Sequence, residues 1–425
     1  MSGPPILRGE VSVPGDKSIS HRAAMFSAIA TGTGRVRGFL HAEDTLRTVS
    51  MVRSLGVRVE AVSPTELRIG GQGMRGLSEP PDVIDAGNSG TTIRIGSGIL
   101  AAQPFLSVIT GDPYLRRRPM ARVIRPLVRM GAKILARDGD RLPPLCIRGG
   151  GLRGIRYEMP VASAQVKSAL LLAGLYADAP VTVMEPLPTR DHTERMLGAM
   201  GADIAREGNA VTVRPAERLS PLDVAVPGDI SSAAFFLVLA SVHPMSEITV
   251  RGVGVNPHRT GLLAVLRRMG ADLRYADERS EGGEPVADIV ARGGELVAVR
   301  VDPGEIPGLV DEVPALCVAA AFARGRTEVR GAAELRVKES DRISAIVSNL
   351  AALGVACGEY PDGLWVEGPA AIRPCGPLDS RGDHRIAMAL LAMGKAGGVP
   401  FDVPDTACID TSFPGFQPLL ERLTR

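Results

Sequence analysis

Cations stand in this sequence where helices are about to begin. In "VPGDKSISHR", Val13 to Arg22, Pro14 and Gly15 break the chain, Asp16 and Ser18 can cap a helix, and the apolar run "AAMFSAIA" follows. Lys17 and Arg22 nevertheless fall in the first turns, where the helix dipole is already positive and further positive charge is disfavoured. A bound anion would partner both, because helix N-termini offer unpaired amides and a favourable dipole to negative groups. Pairing with nearby acids is the alternative.

Other segments repeat the theme. "GNSGTTIR", Gly87 to Arg94, is a turn rich in glycine and hydroxyls, able to bring bare amides close to a phosphate or carboxylate. It is not a Walker loop, since no GK[ST] ending follows, and an ordinary N-cap is the competing reading. "GDPYLRRRPMAR" sets Arg116, Arg117 and Arg118 before Pro119, which suits the first turn of a helix. Adjacent side chains point in different directions, so one arginine of the three at most need meet a ligand. "PTRDHTERM" brings Arg190 to a helix start, with His192 expected on the helix surface.

"LRVKESDRIS" is denser, with Lys338, Glu339, Asp341 and Arg342 within five residues. A Glu339 lying among cations could exchange a proton, and Arg342 could grip a carboxylate or phosphate with two bonds, unless the group is only a set of salt bridges. "VDEVPAL" and "GDHRIAM" add Asp311 and Glu312, then Asp383, His384 and Arg385. An acid at a helix start is usually a cap, which leaves Asp311 a weak catalytic candidate on that ground alone. The sequence has no Ser-His-Asp elbow, metal-ligand cluster or strand-borne dinucleotide fingerprint. The expected chemistry is therefore proton transfer on multiply charged anions, without cofactor or metal.

These segments belong to a repeat. Six stretches open with glycine or small polar residues and continue as apolar helices, with caps expected at Asp16, Asn88, Ser163, Asp229, Asp311 and Asp383, spaced by 72, 75, 66, 82 and 72 residues. A second series, "VRSLGVRV", "LVRMGAKI", "LGAMGADI", "LRRMGADL" and "LAALGVAC", reads as the end of an amphipathic helix, a terminating glycine and a strand. Each unit is thus helix, strand, helix and a hairpin-like strand pair. The sixth lacks its strands at the chain's end, and "ILRGEVSV" near the N-terminus is expected to close it. Helix starts that differ from unit to unit speak against a scaffold with no chemistry. The α/β chain divides into residues 14–228, holding units one to three, and 1–13 with 229–425, holding units four to six, with the helix starts expected to face a substrate cleft between them.

Composition narrows the partners. The 425 residues are 45% hydrophobic and carry a net charge of +2 with no basic tail, so small molecules rather than nucleic acid are expected. Cys146, Cys317, Cys357, Cys375 and Cys408 never form CxxC, which reads as reduced intracellular thiols. No apolar run approaches a membrane span and no leader is recognisable, so a cytoplasmic monomer is expected. Only five of the 49 basic residues are lysines, which marks Lys17, Lys167 and Lys338 as worth following.

Taken together, "VPGDKSISHR", "GNSGTTIR", "RRRP", "SAQVKSALLLAG", "TRDHTE", "DEVPAL", "RVKESDR", "DHRIAMAL" and "SFPGF" resemble the 5-enolpyruvylshikimate-3-phosphate synthase family of enolpyruvyl transferases along nearly the whole chain. The resemblance implies a two-domain fold (an inverse α/β barrel) of six βαβαββ units, three per domain. It implies transfer of the enolpyruvyl group of phosphoenolpyruvate to the 5-hydroxyl of shikimate 3-phosphate, through a tetrahedral adduct. By the same resemblance Lys17, Ser18, Arg22, Ser163, Ala164, Gln165, Arg190, Asp311 and Lys338 would bind shikimate 3-phosphate. Lys17, Gly90, Arg118, Gln165, Arg342 and Arg385 would hold phosphoenolpyruvate. Asp311, Glu339 and Lys17 would carry the proton chemistry.

Two positions depart from the resemblance. Ala164 stands where some members have a second serine, and Thr411 where some have a lysine. Two rival readings differ in class. An enolpyruvyl transferase acting on UDP-N-acetylglucosamine should carry a reactive cysteine in the loop that here reads "GDPYLRRRP", yet the nearest is Cys146. A non-catalytic anion-binding protein would show binding without turnover.

Overall fold

The six apolar segments form helices that are buried on nearly every side: Lys17–Ile29, Gly90–Ala102, Ala164–Gly174, Ile230–Ser241, Val313–Phe322 and His384–Gly397. All twelve residues of Ile230–Ser241 are buried, as expected of a helix with no polar face. The structure is a computed structural model and describes residues 6–373 and 376–424, so Cys375 lies outside the described residues. Small residues let these helices approach closely. A Cβ on Gly98 would sit 2.2 Å from the Ala169 carbonyl oxygen, so helices Gly90–Ala102 and Ala164–Gly174 touch through their backbones.

Asp16, Ser163, Asp229 and Asp383 cap their helices, accepting from the amides of Ile19, Val166, Ser231 and Arg385. Two expected caps are corrected. Ser89 rather than Asn88 caps Gly90–Ala102, its hydroxyl accepting from Thr92 N at 3.2 Å. Helix Val313–Phe322 has Glu312 at its cap position, with no side-chain capping bond. Pro314 at its start removes one amide that would need a partner. The helix after "RRRP" begins at Ala121, so Pro119 precedes it instead of lying in its first turn.

The amphipathic helices end at Gly56, Gly131, Gly201, Gly270 and Gly354, all at positive φ between 83° and 113°. Each then leads into a hairpin. Among the described residues five four-stranded sheets share one wiring, in which the strand after a central helix lies between a parallel neighbour and the second hairpin strand. Ile84–Asp85 runs parallel to Leu106–Thr110, which pairs antiparallel with Leu142–Arg148, itself paired with Lys133–Ala136.

The parallel strand is borrowed. Asp223–Ala225, after the third unit, joins Thr31–Arg37 of the first. Arg8–Ser12 joins Glu247–Gly254 of the fourth unit, which corrects its expected place in the sixth. The reason is burial: Leu7 and Val11 enter the core that holds Ile248 and Val250, and Leu7 N donates to Ser246 Oγ at 2.9 Å. Among the described residues the sixth unit has no strand, only His384–Gly397, a 3₁₀ turn at Thr406–Thr411 and Phe416–Leu423. Aromatic packing replaces the sheet. Phe413 and Phe416 of "SFPGF" lie on Phe235 and Phe236 with ring centroids 5.7–6.1 Å apart.

Two compact units result, each with its own core. One comprises Gly15–Val226 with Glu281–Glu284, and the other the N-terminal stretch through Pro14, Pro227–Ser280 and the chain from Pro285 onward. No helix among the described residues is long and apolar enough to cross a membrane.

Candidate active site

The candidate residues fall into two groups, one in each compact unit. In the Gly15–Val226 unit, three helix starts bring together Lys17, Ser18, Arg22, Gly90, Arg118, Ser163, Ala164, Gln165 and Arg190. Arg22 is only 2% exposed, and its bonds go to neutral oxygens: Nε to Thr193 Oγ1 at 2.8 Å, Nη1 to the Ser18 carbonyl at 2.9 Å and Nη2 to Ser168 Oγ at 2.8 Å. Burial first, and then the positive charge of Arg190, pull its pKa down to about 10. Arg190 Nη1 donates to Ser18 Oγ at 3.3 Å, and Lys17 Nζ sits 3.0 Å from Asp44 Oδ2.

A side chain at Gly90 would displace two guanidiniums. A Cβ there would meet Arg94 Nη1 at 2.6 Å and the Arg118 guanidinium carbon at 3.1 Å. Arg94, absent from the sequence-derived set, donates to Gln165 Oε1 at 3.1 Å, while Gln165 Nε2 donates to Thr91 Oγ1 at 3.1 Å. The Gln165 amide is therefore held at both ends. Arg118 is buried and reaches the Asn88 carbonyl at 3.4 Å. Behind these groups His21 Nδ1 hydrogen-bonds with Thr48 Oγ1 at 2.6 Å, Thr48 with Thr92 at 2.7 Å, and Thr92 Oγ1 donates to Ser89 Oγ at 2.8 Å.

The other unit gathers Asp311, Lys338, Glu339, Arg342 and Arg385 around acids. Arg342, 1% exposed, donates from Nε to Asp383 Oδ2 at 2.8 Å, from Nη2 to Glu339 Oε2 at 2.6 Å and from Nη1 to Asp311 Oδ1 at 3.3 Å. Burial alone would lower its pKa, but Asp383, Glu339 and Asp311 outweigh it and hold the guanidinium charged well above the usual arginine value. Lys338 Nζ adds a second cation 3.4 Å from Asp311 Oδ1. Arg385 Nη1 donates to the Asp311 carbonyl at 3.2 Å, and Glu312 Oε1 lies 3.9 Å away. Asp311 and Glu339 are thus two carboxylates joined through one buried guanidinium.

Two expectations about single residues change. His192 is buried, not on the surface, with Nδ1 2.7 Å from Glu284 Oε1. Lys167 does not reach the candidate cluster and is fully buried against Glu185 and Glu194. Ser168, Thr193 and Arg94 are partners of the site that the sequence reading did not name as such, and Asp383, read there as a cap, also accepts from Arg342. Asp191, His192 and Glu284 have the spacing of a metal-ligand set, yet Asp191 already pairs with Arg195 at 2.9 Å and Glu284 with His192.

The chain as far as residue 420 matches the family described as EPSP synthase (3-phosphoshikimate 1-carboxyvinyltransferase). The chain belongs to the EPSP synthase family. A curated 3-phosphoshikimate 1-carboxyvinyltransferase from Desulforudis audaxviator is 54% identical over 417 residues, 98% of this chain and 97% of the relative. One from Geobacter metallireducens is 53% identical with the same coverage. A solved EPSP synthase from Acinetobacter baumannii superposes with a TM-score of 0.88 at 45% identity, covering 100% of this chain and 97% of its own. The enolpyruvyl transferase NikO from Streptomyces tendae, at 17% identity and a TM-score of 0.75, shares the fold, over 99% of this chain and 98% of its own.

Both departures from the family pattern are accommodated locally. Ala164 opens its helix, and its carbonyl accepts from Ser168 Oγ at 2.7 Å, so the hydroxyl nearest this start is Ser168 one turn on. Thr411 Oγ1 donates to the Cys408 carbonyl at 2.7 Å, closing the 3₁₀ turn at Thr406–Thr411.

Proposed function

We propose that this chain, as its family membership implies, transfers the enolpyruvyl group of phosphoenolpyruvate to the 5-hydroxyl of shikimate 3-phosphate, releasing inorganic phosphate. In this reading the cation-rich group takes the shikimate phosphate through Lys17, Ser18, Arg22, Ser163, Gln165 and Arg190, with the Ala164 amide and Lys338 contributing. Phosphoenolpyruvate is held by Lys17, Gly90, Arg118, Gln165, Arg342 and Arg385. Asp311 takes the proton of the 5-hydroxyl as its oxygen bonds to C2 of phosphoenolpyruvate, and Glu339 delivers a proton to the methylene carbon. Loss of that carbon's proton and cleavage of the C2–O bond to phosphate then give product from the tetrahedral adduct. Acid and base exchange protons between the addition and elimination steps.

The observation that carries this reading is the Asp311–Arg342–Glu339 arrangement, with contacts of 3.3 and 2.6 Å. It sets two carboxylates on one guanidinium, as two opposed proton transfers require. Incubation with phosphoenolpyruvate and shikimate 3-phosphate should release phosphate. No release would overturn the reading, and release only with UDP-N-acetylglucosamine would replace it. The reading takes the protein to act as a cytoplasmic monomer, so light scattering should return a mass near 44.7 kDa.

A further inference from the structure

Lys167 is one of five lysines in a chain with 44 arginines, and it lies outside the group of residues assigned to substrates. Its side chain is 0% exposed. The ammonium meets three acceptors: Glu194 Oε1 at 2.6 Å, Glu185 Oε2 at 3.1 Å and the Thr189 carbonyl at 3.3 Å. Three acceptors from different directions suit a tetrahedral ammonium, whereas a planar guanidinium fans its donors in one plane. That geometry accounts for a lysine here in a chain that otherwise prefers arginine.

The acceptors come from separate places: the loop at Glu185 and Thr189, after strand Val181–Met184, and helix His192–Ala199. Thr189 is gripped from both sides. Its carbonyl accepts from Lys167, while its amide donates to Glu185 Oε1 at 3.1 Å and its hydroxyl to the same oxygen. Arg206 Nη2, 2.5 Å from Glu185 Oε2, brings the buried cluster to two cations and two carboxylates. Arg190 follows Thr189 directly and donates to Ser18 Oγ at 3.3 Å. The next residue along the helix from Lys167, Ser168, accepts from Arg22 at 2.8 Å.

We infer that Lys167 is a positioning residue for shikimate 3-phosphate binding: it fixes the Thr189 peptide and so sets the direction in which Arg190 leaves the loop. This rests on Arg190 contacting the shikimate phosphate, as proposed above. A misplacement of about 1 Å can cost around a hundredfold in a preorganised site, so an effect of roughly tenfold on KM is expected from loosening one peptide.

The test uses two variants of the full chain. Lys167→Met removes the clamp and leaves one buried carboxylate in excess. Lys167→Met/Glu194→Gln removes the same clamp while keeping Arg206 and Glu185 as a neutral pair. Initial rates of phosphate release, melting temperature and hydrogen exchange over residues 185–191 are measured for both. The inference expects the double variant to regain much of the lost melting temperature. Its KM for shikimate 3-phosphate should stay raised by roughly tenfold, its KM for phosphoenolpyruvate near that of the unaltered protein, and exchange over 185–191 fast. Recovery of the KM together with the melting temperature would overturn it, since Lys167 would then only neutralise charge. An equal rise in both KM values would also overturn it, as would slow exchange over 185–191 in the double variant. If the unaltered protein releases no phosphate, the proposed function fails, and the inference with it.

Discussion

Arg22 and Arg342 are both buried guanidiniums in the first turn or two of a helix, and their surroundings are opposite. Arg22 is surrounded by a carbonyl and two hydroxyls, and its pKa falls to about 10 because burial and Arg190 both disfavour its charge. Arg342 is surrounded by Asp383, Glu339 and Asp311, and its charge is strongly stabilised. The hydrogen bonds of Arg22 are all to neutral oxygens, and the more distant charges of Glu194, Asp16 and Glu284 offset its burial only in part, which favours the proposal that this group takes an anion from outside. A cation matched by carboxylates spends its field on them. In the proposed reaction the Arg342 group would therefore hold its acids in place for proton transfer, with Arg342 and Arg385 turning only part of their charge to phosphoenolpyruvate.

The contrast is tested most sharply at Asp311. Asp311→Asn should lower kcat by roughly 10²- to 10⁴-fold while substrate affinities measured by calorimetry stay close to the unaltered values. Turnover near the original rate would remove Asp311 as the base. Next in size is Arg342→Met, which leaves Asp383, Glu339 and Asp311 without their shared partner. A loss of about 3–5 kcal/mol in unfolding free energy is expected in urea titrations. Arg22→Met should behave differently, because no carboxylate loses a hydrogen-bonded partner and a buried charge is removed. Its unfolding free energy should change by no more than about 2 kcal/mol, with shikimate 3-phosphate affinity down about tenfold. Equal destabilisation by the two arginine variants would erase the distinction drawn between the two regions.

Features set by local chemistry were legible before any coordinates. The glycines that end the outer helices, Gly56 to Gly354, lie at positive φ where the sequence repeat places them, and four of six cap residues act as read. Such features depend on neighbours within a turn. The larger errors involve partners far along the chain, and the smaller ones a shift of a residue or two at a helix start. His192 reads as a surface residue until Glu284, 92 positions away, is found beside it, and Arg8–Ser12 pairs with a strand more than 230 residues on. Asn88 and Ser89 are both capable caps, and only the backbone path selects the serine. Asp311 looked like a cap because acids at helix starts usually are. Glu312 holds the cap position instead, and Asp311 Oδ1 stands beside Arg342 and Lys338.

A smaller effect sharpens the same comparison through His21. Its imidazole is fully buried, and burial first, then the charges of Lys17 and Arg22, push its pKa well below the ordinary 6.5. Two cations this close disfavour a third. In the folded protein His21 therefore stays neutral to a lower pH than in the unfolded chain, so between its lowered pKa and 6.5 the unfolded state binds more protons. Stability should accordingly fall as pH drops below 6.5, by up to about 1.4 kcal/mol per pH unit from this group. His21→Asn keeps a polar group beside Thr48 and cannot titrate, so its urea midpoint should fall less steeply between pH 6.5 and 5. Parallel pH curves for the two proteins would show that His21 is not held neutral by its cationic neighbours. Arg22→Met, which removes one of them, should leave the onset of the loss near pH 6.5 but end it at a higher pH, with a smaller total loss, because the folded-state pKa of His21 then lies closer to its ordinary value.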